Sequence, residues 1–83
     1  MNLRVQLLER WDRMNFDVKP DTPVATLKRD ALLAFGLTDA LPSDYVVKLR
    51  GWEVLGEQGS VAESGARDGS TYLISYRRRR AVR

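Results

Sequence analysis

Two short segments near the start of the chain alternate apolar and polar residues. In residues 3–8, LRVQLL, the side chains of Leu3, Val5 and Leu7 are separated by polar ones, and residues 14–19, MNFDVK, repeat the pattern. Alternation with a period of two predicts strands that each bury one face. The polar connection ERWDR is longer than a tight two-residue turn, so the apolar faces set the register of the predicted hairpin.

The period changes to that of a helix after residue 19. Thr22 is a suitable N-cap, Pro23 suits the first helical position, and Gly36 suits the left-handed residue that follows a helix. We therefore predict one helix over about residues 23–35. Its apolar positions recur at helical spacing and are Val24, Leu27, Ala31, Ala34 and Phe35.

Leu32 and Leu33 lie outside that apolar stripe. The favoured interpretation is that both pack beneath the loop that follows the helix. The alternative is that one of them is exposed and forms a second interface or a dimer contact. The expected oligomeric state is accordingly a monomer or a weak homodimer.

The second half of the chain contains a long strand, a short strand and a final long strand. Residues 45–51, YVVKLRG, and residues 70–76, STYLISY, alternate as strands do, and WEVL is predicted as a short return strand. GEQG predicts a turn, and VAES predicts one turn of helix. The side chains expected to be buried are Leu3, Val5, Phe16, Val18, Val24, Leu27, Val47, Leu49, Tyr72 and Ile74.

This order of elements and turns resembles the ubiquitin-like β-grasp family over nearly the whole chain. VKPDTPVATLK resembles the family's entry from strand to helix, KLRGWEVL its third strand, glycine turn and fourth strand, and SVAESGARDGSTYLI its approach to the final strand. The resemblance implies an α+β fold: a mixed four- or five-stranded sheet wraps around one α-helix, and the last strand lies between the first and the third. Gly65 and Gly69 are expected at positions of positive φ.

Composition limits the chemistry that such a chain can perform. The 83 residues include no cysteine and no histidine, which excludes a disulfide framework and leaves the serines without an identifiable base. We expect no enzyme activity, no cofactor and no metal site. No apolar run approaches the roughly 20 residues of a membrane helix, so no membrane insertion is expected and the default localisation is cytoplasmic.

The net charge of +3 is unevenly distributed. Residues 77–83, RRRRAVR, hold five of the 14 basic residues and no acid, whereas residues 1–76 hold the other nine and all 11 acids. We therefore divide the chain into a folded domain, residues 1–76, and a flexible Arg-rich tail, residues 77–83. Because the folded part is not basic, no specific nucleic-acid binding is expected. Attraction of the tail to nucleic acid or to an acidic membrane is a third interpretation, without sequence specificity.

The resemblance also implies a binding surface on the outer face of the sheet. It places Leu8, Lys48, Leu73 and Ser75 on that face. Lys48 and Ser75 interrupt a patch that is apolar in the family's prototype, so recognition by ordinary ubiquitin receptors is not expected. The further candidates are Val46 and Trp11, as outward apolar residues, and Arg77, Arg78, Arg79 and Arg80 in the tail. For Trp52, partner contact and packing over the sheet edge are both open.

These observations favour a non-catalytic ubiquitin-like interaction module. Its expected partner is an unidentified protein with an acidic surface, bound through the outer face and the tail. The alternative is a ubiquitin-like modifier, or its unprocessed precursor, conjugated by activating and conjugating enzymes. In the family, conjugation needs a Gly-Gly terminus, and this sequence has no glycine after Gly69. The chain is therefore more similar to non-conjugated members, such as the small stand-alone bacterial proteins of the YukD/EsaB-like group associated with type VII secretion.

Overall fold

The computed structural model describes residues 1–77 and confirms the predicted α+β class. The elements are β1 (Asn2–Leu7), β2 (Asp12–Asp17), α1 (Val24–Ala34), a 3-10 turn (Pro42–Asp44), β3 (Tyr45–Leu49), β4 (Trp52–Glu53) and β5 (Thr71–Tyr76). VAES, predicted as one turn of helix, forms turns instead. The predicted tail residues Arg78, Arg79 and Arg80 lie outside the described residues.

The five strands form one mixed sheet in the order β2-β1-β5-β3-β4. Strand β5 runs parallel to β1 and antiparallel to β3, so the last described strand lies between the first and the third, as predicted. The chain must travel from the sheet edge at β4 back to the centre before β5 begins. Gly65 and Gly69 turn it there with φ of 97° and 90°, which confirms both glycine predictions.

The hairpin of β1 and β2 has the register that its apolar faces require. Leu3 lies opposite Phe16 and Val5 lies opposite Met14, on the face directed toward α1. Leu3 and Val5 are buried, but Phe16 and Val18 are only half-buried, so the prediction that these two are buried is wrong. For Phe16 the reason is position, because within residues 1–77 the edge strand β2 pairs with β1 alone. Val18 follows the end of β2, where its N–H donates to the Met1 carbonyl at 2.9 Å.

The start of α1 is held by loop carbonyls and not by a side chain. The N-cap residue is Pro23, without a side-chain hydrogen bond, so the predictions of Thr22 as N-cap and of Pro23 as the first helical residue are both wrong by one position. The Val24 N–H donates to the Gly59 carbonyl and the Ala25 N–H to the Glu57 carbonyl, each at 2.9 Å. These bonds satisfy two of the four N–H groups that a helix leaves free at its start.

Helix α1 ends shortly before Gly36, the residue that was predicted to follow it. Gly36 has φ of 84°, and its N–H donates to the Leu33 carbonyl at 3.0 Å, while the Leu37 N–H donates to the Leu32 carbonyl at 2.9 Å. This pair of bonds is a Schellman motif, which stops a helix where a residue without Cβ adopts the left-handed conformation.

The core lies between α1 and the inner face of the sheet. Leu32 belongs to it, whereas Leu33 is 51% exposed, so the prediction that both leucines are covered is right for Leu32 alone. Val61 and Ala66, which the sequence pattern did not indicate, are also buried. The buried cluster comprises Leu3, Val5, Leu7, Val24, Leu27, Ala31, Leu32, Phe35, Val47, Leu49, Val61, Ala66, Tyr72 and Ile74.

One charged side chain of α1 is buried with this core. The Lys28 side chain is 4% exposed, and its Nζ donates to both carboxylate oxygens of Glu57, at 3.0 and 3.1 Å. Glu57 is itself 22% exposed. The ion pair therefore connects the helix to the loop whose carbonyls hold its first turn.

Candidate protein-binding surface

The outer face of the sheet, on the side away from α1, is built by strand alternation. Because Tyr72 and Ile74 point into the core, Leu73 and Ser75 of β5 point outward. The register sets five side chains in one line across the sheet, which we call the central row. It consists of Arg13, Gln6, Leu73, Lys48 and Glu53, in that spatial order.

The centre of this row is apolar and its flanks are polar. Leu73 is half-buried on the central strand, with Gln6 beside it on β1 and Lys48 beside it on β3. Side chains directly opposite each other in a sheet lie about 5 Å apart at Cβ. A partner that covers Leu73 therefore also meets the exposed ammonium of Lys48.

The row of side chains next to the central row includes Val46 on β3 and Ser75 on β5. Val46 lies opposite Ser75 and points outward, as predicted, but it is only 8% exposed. The expectation that Val46 offers an exposed apolar contact is therefore wrong, because its neighbours already cover it. Ser75 is half-buried, and Leu8 is exposed with its N–H bonded to the Ile74 carbonyl at 2.9 Å. Leu8 therefore lies beside the C-terminal half of β5.

Trp11 lies apart from these rows, in the turn that joins β1 to β2. It is 74% exposed and has φ of 58°, a left-handed conformation that a bulky residue rarely adopts. Its exposure is as expected, but it lies at the hairpin end and not among the outward side chains of the central row.

Arg77, the last described residue, lies beside the end of the central row. Its N–H donates to the Asp44 carbonyl at 2.6 Å, and its Nη2 lies 3.8 Å from Oε2 of Glu53. Both side chains are substantially exposed, so this ion pair contributes little to stability. It does place the start of the basic segment next to Glu53.

Two tyrosines on the inner face of the sheet have a pKa above the ordinary value. Burial raises the pKa of Tyr72 above its ordinary value of 10.0, and the hydrogen bond with Ser64 partly opposes this shift. The Ser64 hydroxyl donates to the Val61 carbonyl, so the Tyr72 hydroxyl is the donor to Ser64 while the tyrosine is neutral. Burial, followed by the nearby Glu9 carboxylate, raises the pKa of Tyr45 as well. Both tyrosines remain neutral at pH 7 and act here as packing groups.

Within residues 1–77 there is no group of three or more Asp, Glu, His or Cys side chains that could hold a metal ion. Over the same residues, no helix has the length and apolar character needed to cross a membrane.

A second surface, which the sequence pattern did not reveal, lies beside the short edge strand β4. We call it the β4 groove. It encloses about 400 Å³, and its lining includes Leu49, Trp52, Leu55, Ser60 and Glu63. Trp52 is 77% exposed and Leu55 is 83% exposed, the two largest exposures among the large apolar residues described. A tryptophan and a leucine so close to a glycine turn were the only signal available in the sequence.

Comparison with solved structures identifies the fold. The NMR structure of the ubiquitin-like domain of an Arabidopsis thaliana protein matches with a TM-score of 0.76, covering 100% of this chain and 84% of that chain at 14% identity. The chain has a ubiquitin-like β-grasp fold. No protein-family model matches the sequence, and the search of curated proteins finds no match. Because likeness at this identity shows the fold alone, function must be argued from the surface of this ubiquitin-like domain.

Proposed function

We propose that this protein is a non-catalytic ubiquitin-like module that binds a partner protein through the outer face of its sheet, together with its basic C-terminal residues. The observation that carries the proposal is the central row, in which the half-buried Leu73 is flanked by Gln6 and Lys48 on neighbouring strands. An apolar centre with a polar border is the usual composition of a protein-binding patch.

The charges of this surface favour an acidic partner. Lys48 borders Leu73, and Arg77 is exposed at the end of β5. Arginine can hold a carboxylate through two parallel hydrogen bonds, which gives orientation as well as affinity. The acidic residue Glu53 lies at the β4 end of the row, so a partner with carboxylates near Lys48 and a basic residue near Glu53 is the best match.

Two narrower statements belong to the same proposal. The chain acts as a binding module and is not itself conjugated. It works in the cytoplasm, in the manner of the small stand-alone bacterial ubiquitin-like proteins of the YukD/EsaB-like group. The order of turns and strands supports that comparison.

The test compares two leucine variants that differ only in location. Leu73→Asp introduces a charge at the centre of the outer face, whereas Leu33→Asp does so at an exposed position of α1, away from that face. Proteins captured by the wild type and by Leu33→Asp, but lost with Leu73→Asp, identify the partner. Circular dichroism and thermal unfolding check that both variants are folded.

Calorimetry with the captured partner then measures the electrostatic part. Binding should weaken as salt is raised, and weaken again when Arg77 to Arg80 are replaced by Ala, since exposed charge pairs are screened by salt. If Leu73→Asp binds the partner as tightly as the wild type, the outer-face proposal fails. If removal of the arginines leaves the salt dependence unchanged, the basic residues are not part of the site.

A further inference from the structure

Strand β2 forms one edge of the sheet, and among residues 1–77 it pairs with β1 alone. The bonds of β1 show which backbone groups of β2 are directed to the free edge. The Arg4 N–H donates to the Ser70 carbonyl at 2.9 Å, on the side of β5. On the other side, the Val18 N–H donates to the Met1 carbonyl at 2.9 Å. Even-numbered residues of β1 therefore direct their backbone groups to β5, and odd-numbered residues direct theirs to β2.

Three residues of β2 accordingly turn their N–H and C=O groups away from β1. Residues 3 and 5 of β1 lie opposite Phe16 and Met14, which use their backbone groups on β1. The residues that alternate with these two, Arg13, Asn15 and Asp17, direct their backbone groups to the free edge. Their side chains are exposed, on the outer face of the sheet.

This edge is complementary to the same edge of a second copy. Antiparallel pairing about a two-fold axis at Asn15 sets Arg13 of each copy opposite Asp17 of the other, and Asn15 opposite Asn15. The outward N–H and C=O groups of all three residues then meet partners, because each such pair exchanges two hydrogen bonds. Charges of one sign along an edge prevent pairing, whereas opposite charges directly across two strands stabilise it.

The inner face supports the same register. It sets Met14 of one copy opposite Phe16 of the other, in a pair without mutual hydrogen bonds, where side chains lie closest. Met14 is 38% exposed and Phe16 is half-buried in the single chain. Pairing therefore covers apolar surface that the edge strand leaves in contact with water.

Other registers fit less well. A shift of one residue places outward backbone groups opposite residues whose own groups are used on β1. A shift of two residues in one direction sets Arg13 opposite Lys19, which are like charges. A shift of two in the other direction sets Asp17 opposite Trp11, which lies in the turn with φ of 58°.

The charged groups of this edge are available for the contact. Asp17 is 91% exposed, and its Oδ1 lies 3.3 Å from the Met1 ammonium. Its second carboxylate oxygen accepts no hydrogen bond from residues 1–77. Arg13 makes neither a hydrogen bond from its side chain nor an ion pair within the same residues.

We propose that the free edge of β2 is a homodimer interface, through which two copies join their five-stranded sheets into one continuous sheet. Because paired residues share a face, α1 of both copies lies on the same side of that sheet. The contact is small, so the dimer is weak and forms only as the protein concentration approaches about 1 mM.

Exchanging the two charges tests the register. Sedimentation equilibrium of the full chain measures the Kd of the dimer. Arg13→Asp sets two carboxylates opposite each other at both ends of the contact, and Asp17→Arg sets two guanidinium groups there. Each should raise Kd about tenfold, since two attractive pairs become repulsive.

Rescue and a matched control separate this register from a general effect of charge. Arg13→Asp combined with Asp17→Arg in one chain restores opposite charges and should return Kd to the parental value. A mixture of the two single variants should form a heterodimer for the same reason. Arg29→Asp makes the same change in net charge as Arg13→Asp at an exposed position of α1, and it should leave Kd within about twofold of the parent.

Amide hydrogen exchange measured by NMR tests the edge itself. The N–H groups of Arg13, Asn15 and Asp17 should exchange about twofold more slowly when half of the chains are paired. Those of Met14 and Phe16, which bond to β1, should not change. Asn15→Pro removes the central outward donor and leaves the bonds to β1 intact, so it should abolish the dimer while circular dichroism shows a folded chain.

The outcomes decide the proposal. Rescue by the double exchange, with slowed exchange at alternate residues of β2, supports it. A chain that is monomeric at about 1 mM, or a dimer whose Kd is the same in the parent and in Arg13→Asp, overturns it. A dimer that is lost in Leu33→Asp and kept in Arg13→Asp places the interface on α1 and also overturns it. Leu73→Asp leaves the β2 edge intact and should dimerise as the parent does, so this proposal and the outer-face proposal fail separately.

Discussion

Breaking the buried ion pair of Lys28 and Glu57 should destabilise the domain very differently depending on which partner is removed. In Glu57→Ala, the ammonium of Lys28, whose side chain is 4% exposed, loses both of its acceptors, which lie at 3.0 and 3.1 Å. In Lys28→Met, a side chain of similar shape fills the same site without charge. Glu57, already 22% exposed, can then be solvated by water.

The expected sizes follow from this asymmetry. Removing one member of a buried pair costs about 3 to 5 kcal/mol, and the partial exposure of this site lowers our estimate for Glu57→Ala to about 2 to 3 kcal/mol. Replacing the charge by an apolar group of similar volume should stay within about 1 kcal/mol of the wild type. The double variant should resemble Lys28→Met, since the two residues interact directly and their effects do not add.

Urea unfolding with linear extrapolation measures these differences, provided that the slope with urea is unchanged. For a domain of this size, each kcal/mol also shifts Tm by about 4 to 8 °C, so calorimetry offers an independent check. Equal losses in Glu57→Ala and Lys28→Met would refute the argument, because they would show that the pair contributes as a unit and that an uncompensated ammonium carries no additional cost.

Three further predictions concern the core, the tyrosines and the C-terminus. Leu27→Ala removes a core side chain of α1 and should cost about 2 to 5 kcal/mol in urea unfolding; a loss below this range would mean that the helix face is misassigned. Because the pKa of Tyr72 is raised in the folded state, the unfolded chain loses this proton first, so the free energy of unfolding should fall as pH rises above about 10 and fall less in Tyr72→Phe. Denaturant titrations across that range measure it, and an equally steep fall in Tyr72→Phe would contradict the assignment. With ATP and an activating enzyme, the 83-residue chain should form neither adenylate nor thioester, and a mass spectrum showing the chain linked to a protein through Arg83 would overturn this.

Most of the fold could be predicted because the period of apolar residues and the position of glycines are local properties. The alternation of apolar and polar residues predicted the positions of β1, β3 and β5. The resemblance to the ubiquitin-like family then predicted their order in the sheet. Gly36 marked the end of α1 because glycine is the usual residue at the left-handed position that follows a helix, and a glycine can be read directly from the sequence. Thr22 failed as the N-cap because the acceptors at the start of the helix are the carbonyls of Glu57 and Gly59. These two residues belong to a loop far along the chain, and no local pattern around Thr22 encodes their approach.

The candidate surfaces were harder to predict, for a physical reason. Alternation assigns a side chain to a face of a strand but does not say how far its neighbours cover it, which is why Val46 points outward and is nevertheless buried. Lys28 is the opposite case, a charged side chain that is buried. Such burial requires a partner, and the partner, Glu57, comes from a distant part of the chain that the pattern around Lys28 does not indicate. The β4 groove depends on how the loop after Trp52 returns across the sheet edge, which is a property of the tertiary structure.

The central position of β5 has a consequence for how the molecule assembles. Strands β1 and β3 each pair with β5 and not with each other, so a chain that has not yet placed residues 71–76 holds two separate pairs of strands. A two-stranded unit alone is at best marginally stable in water. During synthesis on the ribosome, no partial sheet should therefore accumulate, and the sheet should form in one cooperative step when the fifth strand arrives between the two pairs.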